Sequence, residues 1–462
     1  MSDHRARVRM YRHGLGDCLL VRLPRQDGTD YRILIDCGII LGTPDATKKV
    51  QDAVDDIVKE TRGEIDLLVA THAHWDHVSG FLQARASFEK DLKIHKVWMA
   101  WTEDPADARA QSLLSQRNKT RAVVRAASNA LRLAAGGGGT ETADQIDSLL
   151  GFFGDDPGSD AGALGAAGRN TTEGAMEFLR GLGELSYVQP GDAPYRPEGT
   201  QARIMVLGPP RDEKLIRKSL PSKTNGDTYE MSDEAMMGQL GLSGEPGPIT
   251  DDQGAGRPFT SLYSIPLSDA RALPFFREHY WGGAVTGQDW RRIDDVWMGS
   301  AVDLALKLDS DTNNTSLVLA IELDGESIAG AREGRDVLLF AADAQIGNWM
   351  SWATVAWDAP EGEAARVTGL DLVRRTIVYK VGHHGSHNAT LKSYLKSMER
   401  LLVALNPVNE EMAHKKGWAH IPLPSLQDAL SRQARDGLVR ADHPADPDPR
   451  LRQEPGYFEF TV

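Results

Sequence analysis

Short apolar runs bounded by Gly, Pro and Asp recur along the start of the chain, at 8–11, 18–23, 31–35, 67–70 and 97–100. Runs of that length with those boundaries predict strands. Between them, 48–61 places Val50, Val54, Ile57 and Val58 at helical spacing, which predicts an amphipathic helix. A second set follows late in the chain. Strands are predicted at 316–323, 336–341 and 376–381, and helices at 391–397 and 426–434. Strand–helix alternation in both blocks makes the class α/β, or α+β.

The middle has a different texture. Residues 106–135 are rich in Ala and Arg and predict a helix that stops at the four glycines 136–139. Residues 151–172 are rich in Gly, Ala, Asp and Asn and read as a loop. A strand at 202–207 ends in Gly208-Pro209-Pro210, and 219–260 is again rich in Gly, Ser, Asp and Pro. The expected organisation is one domain, with an N-terminal half at 1–101, an insertion at 102–296 and a C-terminal half at 297–462.

Composition narrows the function classes. Asp plus Glu is 66 against 52 Lys plus Arg, a formal charge of −14 over 462 residues. A protein held on DNA by its net field is therefore not expected. A nuclease stays open, because bound cations or a local basic surface can meet the phosphates. Trp290, Arg291, Arg292 and Trp297 are one such stretch, although an aromatic cluster with Phe275, Phe276, Tyr280 and Trp281 is more often core. Two cysteines, Cys18 and Cys37, leave no room for a disulfide framework or a zinc ribbon. The charged start leads into no apolar run of membrane length, so a cytoplasmic protein without a membrane partner is expected.

Four places carry candidate chemistry. His72-Ala73-His74-Trp75-Asp76-His77 leaves a predicted strand, with three imidazoles and a carboxylate in six residues. His72 and His74 can converge on one cation while Asp76 and His77 turn to a second. Lys380-Val381-Gly382-His383-His384-Gly385-Ser386 delivers two more imidazoles from a strand end. Asp343 ends the apolar run 338–342, where it either bridges two cations or caps the helix that follows. Asp36 ends another strand, where it either orients a ligating histidine or caps a turn.

In that order, these residues resemble the signature of the metallo-β-lactamase fold superfamily. Gly14-Leu15-Gly16-Asp17-Cys18, Asn313-Asn314-Thr315-Ser316-Leu317-Val318-Leu319 and the 380–386 stretch resemble its ComEC-like branch, which includes the soluble hydrolase domain of DNA-uptake channel proteins. The resemblance covers roughly 1–101 and 297–400. It implies an αββα sandwich with two divalent metal ions at one edge, zinc or manganese. By motif match, His72 and His74 belong to the first ion, and Asp76, His77 and His383 to the second. Asp343 bridges them and Asp36 stands behind.

Many superfamily members give the first ion another histidine. Here the best-matched place holds Asp311, Asn313 and Asn314, with His279 lying in the unmatched insertion, so a weaker, manganese-tolerant first site is expected. The resemblance further implies catalytic roles for Asp76, orienting water, and for His384, donating a proton. Lys380 and Ser386 would reach a phosphate. The expected activity is metal-dependent hydrolysis of a phosphodiester, with nucleic acid as substrate. The alternatives are a hydrolase of a small ester, lactone, thioester or phosphoester, and an inactive metal-binding regulatory protein. The insertion is a candidate for self-association.

Overall fold

The computed structural model describes residues 5–134, 141–154, 171–218, 270, 272–280, 293–323, 335–358, 366–418 and 420–462, with backbone alone at 133–134, 141 and 293–300. The glycine run 136–139, most of 151–172, the stretch 219–260 and the residues Trp281, Trp290, Arg291 and Arg292 lie outside the described residues, as does the side chain of Trp297.

Sixteen strands are described: β1 (Arg7–Tyr11), β2 (Cys18–Pro24), β3 (Asp30–Cys37), β4 (Glu64–Ala70), β5 (Lys93–Ala100), β6 (Glu184–Val188), β7 (Arg203–Gly208), β8 (Val318–Glu322), β9 (Val337–Phe340), β10 (Ala356–Trp357), β11 (Val367–Thr368), β12 (Thr376–Lys380), β13 (Val403–Asn406), β14 (Leu438–Arg440), β15 (Leu451–Glu454) and β16 (Tyr457–Thr461). They form a sheet of order β15-β16-β1-β2-β3-β4-β5-β6, a second of order β14-β13-β12-β9-β8-β7, and a small β10–β11 pair.

Strand alternation explains the layers. In β2, Leu19, Val21 and Leu23 join a core shared with Ile204, Val206, Leu319, Ile321, Leu338 and Phe340 of the other sheet. Leu20 points the opposite way, to the helix Ala46–Thr61 and its Val50, Val54 and Ile57. On the far side, Leu207, Ala320, Leu339 and Tyr379 meet Trp349 and Trp352. Two sheets face each other with helices outside, an αββα sandwich. The central parallel strands are apolar on both faces, as their continuous runs imply.

Two placements were not expected. β6, which was not predicted, and β7, predicted at 202–207, lie inside the stretch read as insertion, yet they complete the two sheets. The C-terminal β16 crosses to the first sheet and pairs with β1. Its Glu459 accepts from Arg9 Nε at 2.8 Å and Arg22 Nη2 at 2.6 Å, all three side chains being buried. Two helices of the insertion, Ala108–Ala134 and Glu141–Leu150, pack with the helix Ile293–Asn313 around Leu15, Ile40, Val408 and Met412, next to one edge of the sandwich.

Candidate metal centre

Four loops leave the carboxyl ends of β3, β4, β9 and β12 at the same edge. They carry Asp36, the 72–77 histidine motif, Asp343 and the pair His383–His384. In parallel sheets this is where ligands bind. Left-handed backbone marks the place. Asp36 (φ 56°), Ala342 (47°), His383 (41°) and His384 (51°) all adopt it. Each such residue costs about 1–3 kcal/mol and persists only where its surroundings fix it. A close approach adds to this: a Cβ on Gly38 would sit 2.3 Å from the backbone carbonyl carbon of Asp76, so the loop after β3 needs glycine there.

The histidine motif sits at a helix start. His74 is the extended N-cap of the helix Trp75–Gln83, and Asp76 lies in its first turn, where the helix dipole favours a carboxylate. His72 Nε2 and His74 Nδ1 are 3.1 Å apart. Two nitrogens about 2.0 Å from one tetrahedral cation would be separated by about 3.3 Å, so this spacing is that of a shared cation. Beside them, His384 Nε2 lies 3.0 Å from Asp76 Oδ2 and 3.6 Å from Asp343 Oδ2. His77 Nε2 lies 3.2 Å from Asp343 Oδ2 and 3.9 Å from Asp76 Oδ2. These four side chains enclose a second point.

The donor set fits cations on a further observation. Asp76 Oδ1, His77 Nε2 and Asp343 Oδ2, which face the shared space, are buried and without a hydrogen-bond partner, and around them so are His74 Nε2, Asn313 Oδ1 and Asp309 Oδ1. Orphaned buried polar atoms are rare and costly unless something else meets them. The rings are held from behind. Asp36 accepts from Thr71 N (2.8 Å), Thr71 Oγ1 (2.6 Å) and His77 Nδ1 (2.8 Å), and His384 Nδ1 donates to Pro407 O at 2.8 Å. Both arrangements leave Nε2 facing inward. Asp36 thus orients His77 rather than capping a turn. Asp343 is no cap either, since the helix Ile346–Ser351 is preceded by Gln345.

Protonation follows the surroundings. Burial holds His74 down to about 3 and His383 to about 4, and keeps His72 well below its ordinary value. These rings are neutral, the form that ligates. Burial also opposes charge on His77 and His384, but Asp343, with Asp17 and Asp76, outweighs it and raises both. Burial pushes Asp343 up, yet His77, His384 and Lys380 hold it well below the usual carboxylate range. Asp309 has no such neighbour: burial, Asp76 and Asp343 all push it up.

The structure departs from the sequence expectations at several residues. His384, rather than His383, converges on Asp76 and Asp343, whereas His383 Nε2 faces Asn313 Nδ2 at 3.5 Å. Their left-handed turn swings the two rings apart. Ser386 reaches no substrate space. It is buried, donates to Asn388 Oδ1 (2.8 Å) and accepts from His383 Nδ1 (3.0 Å). Lys380 is equally internal. Its ammonium meets Asp17 Oδ2, Asp343 Oδ1 at 3.3 Å and Ala342 O at 2.9 Å, which uses its three donors. Asn314 is turned into the fold, donating to Ile216 O and Lys218 O and accepting from Asn348 N. Asp311 pairs with Lys307, and His279 meets Phe275 of its own short helix edge-on.

Two residues escaped the sequence reading. Asp17 belongs to a buried group with His77, Asp343 and His384 whose ligand atoms lie within 4.8 Å of one another. Its approaches are to the outer Nδ1 atoms, at 3.7 and 3.8 Å, and it is already paired with Lys380, so it backs the centre. The signal was present in Gly14-Leu15-Gly16-Asp17. Asp309 lies one helical turn before Asn313 and was legible as an i,i+4 partner.

The insertion covers this edge. Phe152 stacks on His74 at 5.2 Å, Phe153 meets it edge-on at 5.0 Å, and Trp418 stacks on Phe152 at 4.7 Å. Residues 151–153, read as loop, are thus a packed 3-10 turn. Of His72, His74, His77, His383 and His384, His383 is the most exposed, at 7 %.

Residues 11–184 match the model of the metallo-beta-lactamase superfamily. The match runs from the end of β1 to the start of β6 and contains the whole histidine motif. No curated protein matches the sequence. The metallo-beta-lactamase match and the buried Asp/His cluster agree on a metal-dependent hydrolase using divalent cations. No described helix is long and apolar enough to cross a membrane.

Proposed function

We propose that the protein is a dinuclear metal-dependent hydrolase of phosphodiesters, with nucleic acid as the polymer to test first. The observation that supports two cations is the pair of converging donor sets, His72 with His74, and Asp76, His77, Asp343 and His384, whose inward atoms Asp76 Oδ1, His77 Nε2 and Asp343 Oδ2 have no hydrogen-bond partner. Imidazole donors suit zinc, and the carboxylates leave manganese acceptable. His72, His74, Asp76, His77, Asp343 and His384 would hold the cations, which would supply a water of near-neutral pKa and a Lewis acid for the scissile oxygen. The chain's own residues do the rest. Asp36 and Pro407 O fix the tautomers of His77 and His384. Ser386 keeps a proton on His383 Nδ1, so its Nε2 offers a lone pair on the most exposed of the rings. His383, rather than His384, is then placed for proton transfer.

The phosphodiester assignment rests on the ordered resemblance at 14–18, 313–319 and 380–386. A second reading, a small ester, lactone or thioester, is favoured by the apolar cover of Phe152, Phe153 and Trp418. Metal-loaded protein assayed on a chromogenic phosphodiester, single- and double-stranded DNA, RNA, a lactone and a thioester decides between them. Cleavage of the phosphodiester and a nucleic acid is expected. Lactone or thioester cleavage alone would overturn it in favour of the second reading. Two bound cations with no hydrolysis of any of these would indicate a regulatory metal-binding protein.

A further inference from the structure

We propose that Asp309 is the positioning residue for His74, holding the outer nitrogen of that ring so that its inner nitrogen stays aimed at the first cation. The inference rests on the dinuclear reading above. His74 Nδ1 is the inward atom, because it is the one 3.1 Å from His72 Nε2. A nitrogen that gives its lone pair to a cation leaves the ring proton on the other nitrogen, so Nε2 becomes an N–H donor in need of an acceptor. That Nε2 is fully buried and has no hydrogen-bond partner. The rings of Phe152 and Phe153, packed at 5.2 and 5.0 Å, offer it no acceptor.

Asp309 Oδ1 lies 3.9 Å from it and is itself buried without a partner. A donor lacking an acceptor thus faces an acceptor lacking a donor. The gap is about 1 Å longer than a hydrogen bond. The other carboxylate oxygen is anchored by Asn313 Nδ2 at 3.1 Å, one turn along the helix Ile293–Asn313, which turns Oδ1 toward His74. Leaving both atoms unmet in the interior is costly. Carboxylate partners of metal-bound histidines fix ring orientation and raise ligand basicity. This helix, which lies outside the family match, thereby tunes the first site.

The test is a stepwise zinc titration of the full-length chain against a competing chelator, with cobalt absorption as a second readout. In Asp309→Asn, the amide oxygen stays with Asn313 and an NH2 faces the His74 N–H. One binding step is expected to weaken by roughly 10–100-fold and the other to stay unchanged, with both sites still filling at saturation. The cobalt bands of the weakened site should shift. Asp309→Ala should behave likewise. Unchanged steps in both variants would overturn the role. So would loss of a whole cation at saturating zinc, which would make Asp309 a direct ligand. A wild-type chain that takes up no cation overturns the dinuclear reading itself and this inference with it.

Discussion

Lys380 and Asp17 form a fully buried ion pair that joins the loop after β1 to the end of β12 in the opposite sheet. The same ammonium reaches Asp343 at 3.3 Å. Removing one partner of a buried pair leaves an uncompensated charge and costs about 3–5 kcal/mol. Lys380→Met should therefore destabilise the cation-free protein by about that amount in denaturant melts. Added zinc should stabilise the variant more than the wild type, because a cation can compensate Asp343. An unchanged melting curve would mean that the pair contributes nothing.

The placement of His383 and His384 predicts different losses. His384→Ala should lower the cation content by one, read by elemental analysis of dialysed protein. His383→Ala should keep both cations and lower the hydrolysis rate about 100-fold or more, the range of a lost proton-transfer group. The reverse result would restore the assignment that the motif alone implied.

Cation uptake should depend on pH with a fixed sign. Burial disfavours charge on His77 and His384, but Asp343, Asp17 and Asp76 outweigh it, so both hold protons above the ordinary 6.5. Those protons must leave before Nε2 takes a cation. Affinity should fall as pH is lowered from above 6.5, by about tenfold per pH unit for each proton displaced. His74, neutral down to about 3, adds nothing to that slope near neutrality. In the cation-free protein these two protons stabilise the fold below 6.5, a contribution lost as pH rises through the raised values. Chelator competition on either side of 6.5 reads the slope, and a flat profile would contradict the protonated pair.

The aromatic cover separates the two substrate readings. Phe152→Ala should cost about 3 kcal/mol or more of stability from the cavity it leaves. It should keep both cations and raise the rate on a polymer relative to a small phosphodiester. An unchanged ratio would mean that the cover does not govern access.

Cys18 and Cys37 are register partners across β2 and β3, and both are buried free thiols. Burial, then Cys37, pushes the Cys18 thiol up, away from thiolate. The double variant Cys18→Ala, Cys37→Ala should keep its cations and lose about 1–3 kcal/mol of stability. Loss of a cation without unfolding would reveal a thiolate ligand.

The sequence was most readable where one residue carries its own signal. Strands β2 to β5 and the histidine motif follow from local apolar runs and ligand spacing. Asp343 and Asp36 could be located, but choosing between ligand support and capping needed the partner across space. The stretches 14–18 and 380–386 meet through Asp17 and Lys380, a contact that no local pattern encodes. Lys380 and Ser386 looked available because sequence does not report burial. That His384 rather than His383 meets Asp76 and Asp343 depends on two left-handed residues in succession, which β-strand periodicity cannot foresee. β15 was hidden because Leu451–Glu454 is largely solvent-facing and has no apolar alternation.

The pairing of β16 with β1 also orders events in time. Arg9 and Glu459 are 450 residues apart in the chain. Contacts at such separation form late, and during synthesis the N-terminal segments emerge first. The histidine motif and Asp36 are therefore made early, on a sheet whose β1 edge stays open until the last strand leaves the ribosome. Until then Arg9 and Arg22 lack Glu459, and an unpaired edge is a template for association with other chains. Nascent chains stalled before Tyr457 should accordingly depend on holding chaperones far more than the finished protein does.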